Sequence, residues 1–248
     1  MSGIAHWTRS WWMLVRWTAA SSTLILPLSV IVQVMIAAGI VYGFGFLAPV
    51  DDPTVALLLS TGAPTVLLLV VGLVLVPQTV GTMKQEGSYD WFRTLPAPRS
   101  AYLFADLTVW TLISLPGVVV AVLLAALRYD LDLQPTVWSP LISVLVAATA
   151  SMIGYGLATA LPPRIAMLIT QVLVFVILLF SPITFSPDVL PDWLATVHTV
   201  LPFEAMADLM RTHLSPENYV VSTGQVAVVA AWSLGSTALA LTVMTRRM

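Results

Sequence analysis

Apolar residues along this chain come in long unbroken runs. They do not show the strict alternation of a half-buried strand or the narrow stripe of a surface helix. Six stretches carry no Asp, Glu, Lys or Arg, and membrane-crossing helices are predicted inside them at roughly 24–46, 55–80, 106–127, 138–161, 165–182 and 224–245. A helix crossing the hydrocarbon layer needs about 20 apolar residues. The fifth stretch is the shortest; it starts after Arg164 and meets Pro182. In lipid, backbone groups must be satisfied within the segment, which favours helices over open sheet. The expected fold is therefore all-α: a polytopic membrane protein with six transmembrane helices, forming a single transmembrane domain over 1–248.

Two segments outside the spans also have helical pattern. In residues 5–18, Trp7, Trp11, Leu14 and Thr18 share one face, while His6, Arg9, Met13 and Arg16 share another. That is the pattern of an interfacial helix, with tryptophans turned inward and arginines toward anionic headgroups. No short apolar region with a small-residue cleavage site precedes the first span, so it is expected to be retained. Between spans five and six, Pro182, Pro187, Pro191 and Pro202 break any continuous crossing. Two short helices fit there. One starts at Leu190-Pro191-Asp192-Trp193, where Pro and Asp suit a first turn. The other follows Pro202, with Phe203, Met206, Leu209 and Met210 on its apolar face.

Composition points the same way: 58% of residues are hydrophobic and 9% charged, against about 25% charged in soluble domains. The placement of charge is more informative than its net value of −2. Eight of the ten basic residues fall in the termini and the loops after spans two and four; nine of the twelve acidic residues fall on the other side. The positive-inside bias then puts both termini in the cytoplasm and the protein in the inner or plasma membrane.

Several chemistries are disfavoured. There is no cysteine, so disulfides and thiol catalysis are excluded. His6, His198 and His213 share no metal-ligand spacing. Asp106 and Arg164 sit at predicted span ends, and no ionisable residue occupies a predicted span centre, which argues against a proton- or ion-driven pump. The single lysine, Lys84, is followed by Gln85; a P-loop needs Lys followed by Ser or Thr. No catalytic or metal-binding residue is expected, and energy for uphill transport would come from another polypeptide. Polar residues within the spans are few. Gln33, Tyr42, Tyr155 and Gln171 are the candidates for lining a substrate path, or for bonding one helix to another. Small residues recur four apart at Gly39 and Gly43, at Ala150, Gly154 and Ala158, and at Ala227, Ala231 and Gly235, a close-packing pattern.

The loop at 81–106 mixes charge with large apolar groups. A short helix over 86–93 would present an aromatic and charged face suited to docking on a soluble partner. Its Glu86, Gly87, Ser88, Asp90 and Pro96, followed by Arg99, resemble the coupling-helix region of the type-2 ABC permease (exporter) family. The stretch 180–211 is also similar to that family, through Ser181 and Pro182, Phe185 and Pro187, Leu190-Pro191-Asp192-Trp193, Pro202, and Asp208 with Arg211. Together the two segments cover under a quarter of the chain, and the six-span topology extends the likeness.

The resemblance implies the membrane subunit of an ATP-driven exporter. It would pair with a second permease chain, identical or different, and be driven by separate ABC ATPase subunits holding ATP and Mg²⁺. Glu86, Gly87, Ser88, Tyr89, Asp90, Phe92, Arg93 and Pro96 would couple to the ATPase. The apolar path suits a hydrophobic or amphipathic cargo such as a drug, lipid or glycolipid. The rival expectations are an ATP-independent transporter or channel, and an assembly factor for another membrane complex.

Overall fold

Runs of Leu, Val, Ile and Ala become helices because lipid offers their backbone no other hydrogen-bond partner. A computed structural model describes residues 3–22, 25–47, 52–88, 94 and 96–246. Among them there is no strand, and six helices are long and apolar enough to cross a membrane.

Helix α1 covers Gly3–Ser21. Helix α2 runs through Ile25–Ala38, a π-helical stretch Gly39–Phe44 and a last turn Gly45–Leu47. Helix α3 is Pro53–Gln85, and it too contains a π-helical stretch, Val71–Leu75. Its N-terminus is set by Asp52, whose carboxylate accepts from Thr54 N–H at 2.8 Å, with Pro53 opening the first turn. Helices α4 (Arg99–Tyr129), α5 (Ser139–Ala160) and α6 (Pro163–Phe180) follow. The short α7 (Asp192–His198) and α8 (Pro202–Leu214) precede the last span, α9 (Thr223–Arg246).

Helices α3, α4 and α5 form the interior; α3 is the most deeply buried span, whereas α6 and α9 keep most of their surface outward. Six crossings leave α1, the α3–α4 connection and the end of α9 on one side, called here the terminal face. Helices α7 and α8 cap the far face. Because lipid tails are as apolar as the side chains, these helices associate by close van der Waals fit rather than by escape from water. Glycine makes that fit possible at the α3–α5 crossing. A Cβ on Gly154 would collide with the Gly72 carbonyl, and one on Gly72 would strike the backbone of Ala150. The Ala150, Gly154 and Ala158 series is thus a seam within the chain. Gly39, Gly43 and Gly235 face open space.

Two expectations need correction. The third span begins at Arg99, not 106, so Asp106 lies inside α4 and is 4% exposed. An aromatic and small-residue interior accepts the first two turns of this helix, which charge counting had assigned to the loop. Second, Trp7 and Trp11 do not face lipid. They stack in parallel and pack on α4, where Trp7 Nε1 donates to Ser100 (2.9 Å) and Trp11 Nε1 to Thr108 (3.3 Å). Of the α1 tryptophans, the exposed ones are Trp12 and Trp17. Glu86 and Gly87 close α3: Glu86 N–H bonds Thr82 O (2.9 Å), and Gly87 takes φ 75°, where glycine has no Cβ penalty. Ser88 and Thr94 are helical, and most of the helix expected over 86–93 lies outside the described residues.

Candidate functional site

Two regions carry the residues singled out by sequence. On the terminal face, the end of α3 is anchored by Lys84. Its ammonium donates to Ala158 O (2.5 Å) and Thr159 O (3.2 Å), carbonyls of the last turn of α5. A helix end leaves those carbonyls without intrahelical donors, and a cation complements the negative end of the helix dipole. The exposed Glu86 is two residues on, and Ser88 Oγ donates back to Met83 O at 3.2 Å. Pro96 lies exposed in a bend ahead of α4. Tyr89, Asp90, Phe92 and Arg93 lie outside the described residues. Lys84 was missed as a site-bordering residue, although a lone cation at the end of a long apolar run was its visible signal.

On the far face, the candidate residues come together around Arg211. This side chain is 3% exposed, donates to Asp208 Oδ1 at 2.6 Å and to Pro182 O at 3.2 Å, and also reaches Ile183 O. Asp208 in turn accepts from Gln225 on α9. One guanidinium thus ties α8 to the turn after α6 and, through Asp208, to α9. Ser181 ends α6, its N–H bonding Ile177 O. Pro182 is buried, Phe185 and Leu190 are half-buried, and Pro187 opens a 3₁₀ turn. Pro191 precedes α7, Trp193 on it is exposed, and Pro202 opens α8. The predicted apolar face of α8 is the buried one: Phe203, Met206, Leu209 and Met210. Gln225 was not singled out, because nothing local marks a polar residue at a helix start as a long-range partner.

The four polar span residues do not meet at one place. Gln33 is buried and donates to Ile113 O on α4 (3.0 Å), an approach that depends on Gly117 lacking a side chain. Tyr155 is fully buried at the α3–α5 seam side. Tyr42 is partly exposed in the π stretch of α2, with the Arg128 guanidinium 5.9 Å from its ring. Gln171 is on the exposed side of α6.

This topology, with its capped far face and anchored terminal-face loop, can be compared with known proteins. A family model described as ABC-2 type transporter matches residues 5–214. The chain belongs to the ABC-2 type transporter family. No curated protein matches it. As an ABC-2 membrane permease it is a non-catalytic transmembrane subunit, and the family implies an ATPase partner. The matched region takes in α1 through α8, so both the terminal-face loop and the far-face cap belong to the ABC-2 domain.

Proposed function

We propose that this ABC-2 permease is one half of an exporter, paired with a second permease chain and driven by a separate ATPase that docks on the terminal face at 86–96. The family match over 5–214 carries the reading. Lys84 supports the docking side. It joins the ends of α3 and α5, so a push on the loop beginning at Glu86 moves two interior helices together. Coupling is then mechanical: ATP-driven closure of the ATPase tilts α3 and α5, and the membrane halves rock. The charge bias supports a cytoplasmic terminal face.

Helix α6 supports the pairing. Leu168, Val172, Phe175 and Leu179 form an exposed stripe at helical spacing, and Gln171 lies on it without a hydrogen bond among the described residues. An unpaired amide in hydrocarbon costs several kcal/mol. A second permease chain supplies a partner. Few polar groups line the spans, which suits a hydrophobic or amphipathic cargo (a drug, lipid or glycolipid), moved outward. In this reading Gln171 and Tyr42, the two exposed members of the predicted path, border the cargo, while Gln33 and Tyr155 hold helices together.

The test is purification from native membranes through a C-terminal tag, with crosslinking at Val172→Cys. Expected are a stoichiometric P-loop ATPase and a crosslinked permease pair. A permease recovered alone, active in liposomes without ATP, would overturn the reading in favour of an ATP-independent transporter.

A further inference from the structure

On the far face, α4 ends in Arg128 and Tyr129, and Asp130 turns the chain away with φ 50°. Tyr129 is half-buried and donates its hydroxyl to Val41 O, inside the π-helical stretch of α2. Gly45 makes room for that hydroxyl, since a Cβ there would overlap it. Single π turns within α-helices often mark functional positions. This one carries the exposed Tyr42. The guanidinium carbon of Arg128 lies 5.9 Å from the centre of the Tyr42 ring and 5.4 Å from that of Tyr129. Both distances fall within the range of cation–π attraction, about 6 Å. Two helices thus each supply an aromatic ring to one cation.

This cation lacks an anion. Arg128 is exposed and makes no hydrogen bond or ion pair among the described residues, although Asp130 is only two residues on. The Tyr42 hydroxyl makes no hydrogen bond among them either. The charge of the far face gives Arg128 its weight. By sequence, nine acidic residues fall on that side of the spans and two arginines, Arg128 and Arg211. Arg211 is buried and committed to Asp208 and the carbonyls of Pro182 and Ile183. Arg128 is the one of the two that faces outward. Its neighbours in the chain are apolar and exposed: Leu123 and Leu127 on α4, and Phe46 one turn beyond Tyr42 on α2. An arginine at the end of a crossing helix, among tyrosines and exposed aliphatic groups, sits at the level of the lipid headgroups.

We propose that Arg128 and Tyr42 hold the phosphate of an anionic phospholipid in the far-face leaflet, its acyl chains lying against Leu123, Leu127 and Phe46. Guanidinium N–H groups match phosphate oxygens in pairs. The Tyr42 hydroxyl adds a donor from the second helix. Headgroup preference follows from charge. A glycerol-headed lipid neutralises Arg128 with its single negative charge. A choline-headed lipid brings a second cation beside the guanidinium, and like charges repel. Because Tyr42 belongs to α2 and Arg128 to α4, the bound lipid also ties these two spans together at their far ends. The site holds a resident lipid, so it stands whether or not the chain exports.

The experiment uses the permease with its native partners in nanodiscs of choline-headed phospholipid, with or without glycerol-headed phospholipid. Native mass spectrometry counts the lipid of each kind retained, and thermal melting follows the stability it adds. Arg16→Gln is the control, since it removes the same charge from the exposed face of α1 on the opposite side. Expected is about fivefold preference for the glycerol headgroup through Arg128. Arg128→Gln loses it, Arg16→Gln keeps it, and Tyr42→Phe, which retains the ring without its hydroxyl, falls between. Melting in choline-only discs shows which variants are folded. Arg128→Lys keeps the charge without the planar fork; it carries the test if Arg128→Gln does not fold, and a reduced preference is expected. A preference unchanged in the folded Arg128 variant overturns the proposal, as does an equal loss in Arg16→Gln, which would mark general attraction to charge. An equal melting response to soluble glycerol 3-phosphate in choline-only discs also overturns it, because the site would then take a free anion and not a lipid.

Discussion

Arg211, buried, meets the partly exposed Asp208 one turn earlier on α8 at 2.6 Å, and this pair is the junction of three segments. A buried ion pair contributes little over an apolar substitute, but removing one partner leaves the other charge uncompensated. The remaining bonds of Arg211 go to backbone carbonyls that no other side chain is shown to serve. Arg211→Met should therefore destabilise the folded chain by about 3 kcal/mol. Asp208→Asn, which keeps acceptor and shape, should cost less. Melting in detergent, followed by tryptophan fluorescence, checks the order.

The α3–α5 crossing depends on hydrogen in place of side chains. Gly154→Val puts two methyl groups where the Gly72 carbonyl lies, and overpacking of this kind costs about 1–3 kcal/mol or more. Gly235→Val has open space around it and should change stability little. Comparing the yield of monodisperse protein for the two variants separates packing at this seam from a general intolerance of bulk.

Lys84→Met removes the cation from the last turn of α5 while keeping a stem of similar length. If the ends of α3 and α5 move as a unit, ATP hydrolysis by the docked partner should continue while transport falls about tenfold or more, a loss of about 1.4 kcal/mol in coupling. The double variant Glu86→Ala with Asp90→Ala should behave likewise. Hydrolysis and transport measured together in proteoliposomes decide it; parallel loss of both would point to failed assembly instead.

Acidity should act through the far-face cap. Burial lowers the pKa of His198 below its ordinary 6.5, so the folded state prefers the neutral ring. The stability this contributes is fully present above pH 6.5 and is lost as the pH falls from there through the folded-state pKa. Glu204 has the opposite sense: burial, reinforced by Asp208, raises its pKa above the ordinary 4.5. Its contribution is present below that pH and is lost as the pH rises through the folded value. Because the two act in opposite senses, the difference between proteins carries the test: as the pH falls below 6.5, the melting temperature of the unmodified protein should fall relative to that of His198→Gln.

The six spans were legible because hydropathy over 20 residues is a local property, and lipid enforces the same backbone answer everywhere. Their ends were less so. Asp106 reads as a loop residue by charge, and only the folded structure shows it buried inside α4. The two short helices of 180–211 were legible from Pro191, Asp192 and Pro202, since capping and proline placement also act within a turn. The π stretches of α2 and α3 were not visible, because they answer to neighbours: Tyr129 donates to Val41 O in one, and Gly72 abuts α5 in the other.

Sequence alone determined that this chain has six segments long and apolar enough to cross a membrane, that its one lysine lacks the P-loop pattern, and that it carries the marks of an ABC-2 permease. Those are matters of local composition and short motifs. The tertiary structure decided which polar residues meet. It set Lys84 on the end of α5, Gln33 on α4 and Arg211 on the turn after α6. Residues far apart in the chain come within hydrogen-bond reach only when helices pack, and the pattern of one helix does not state which face of another it will meet.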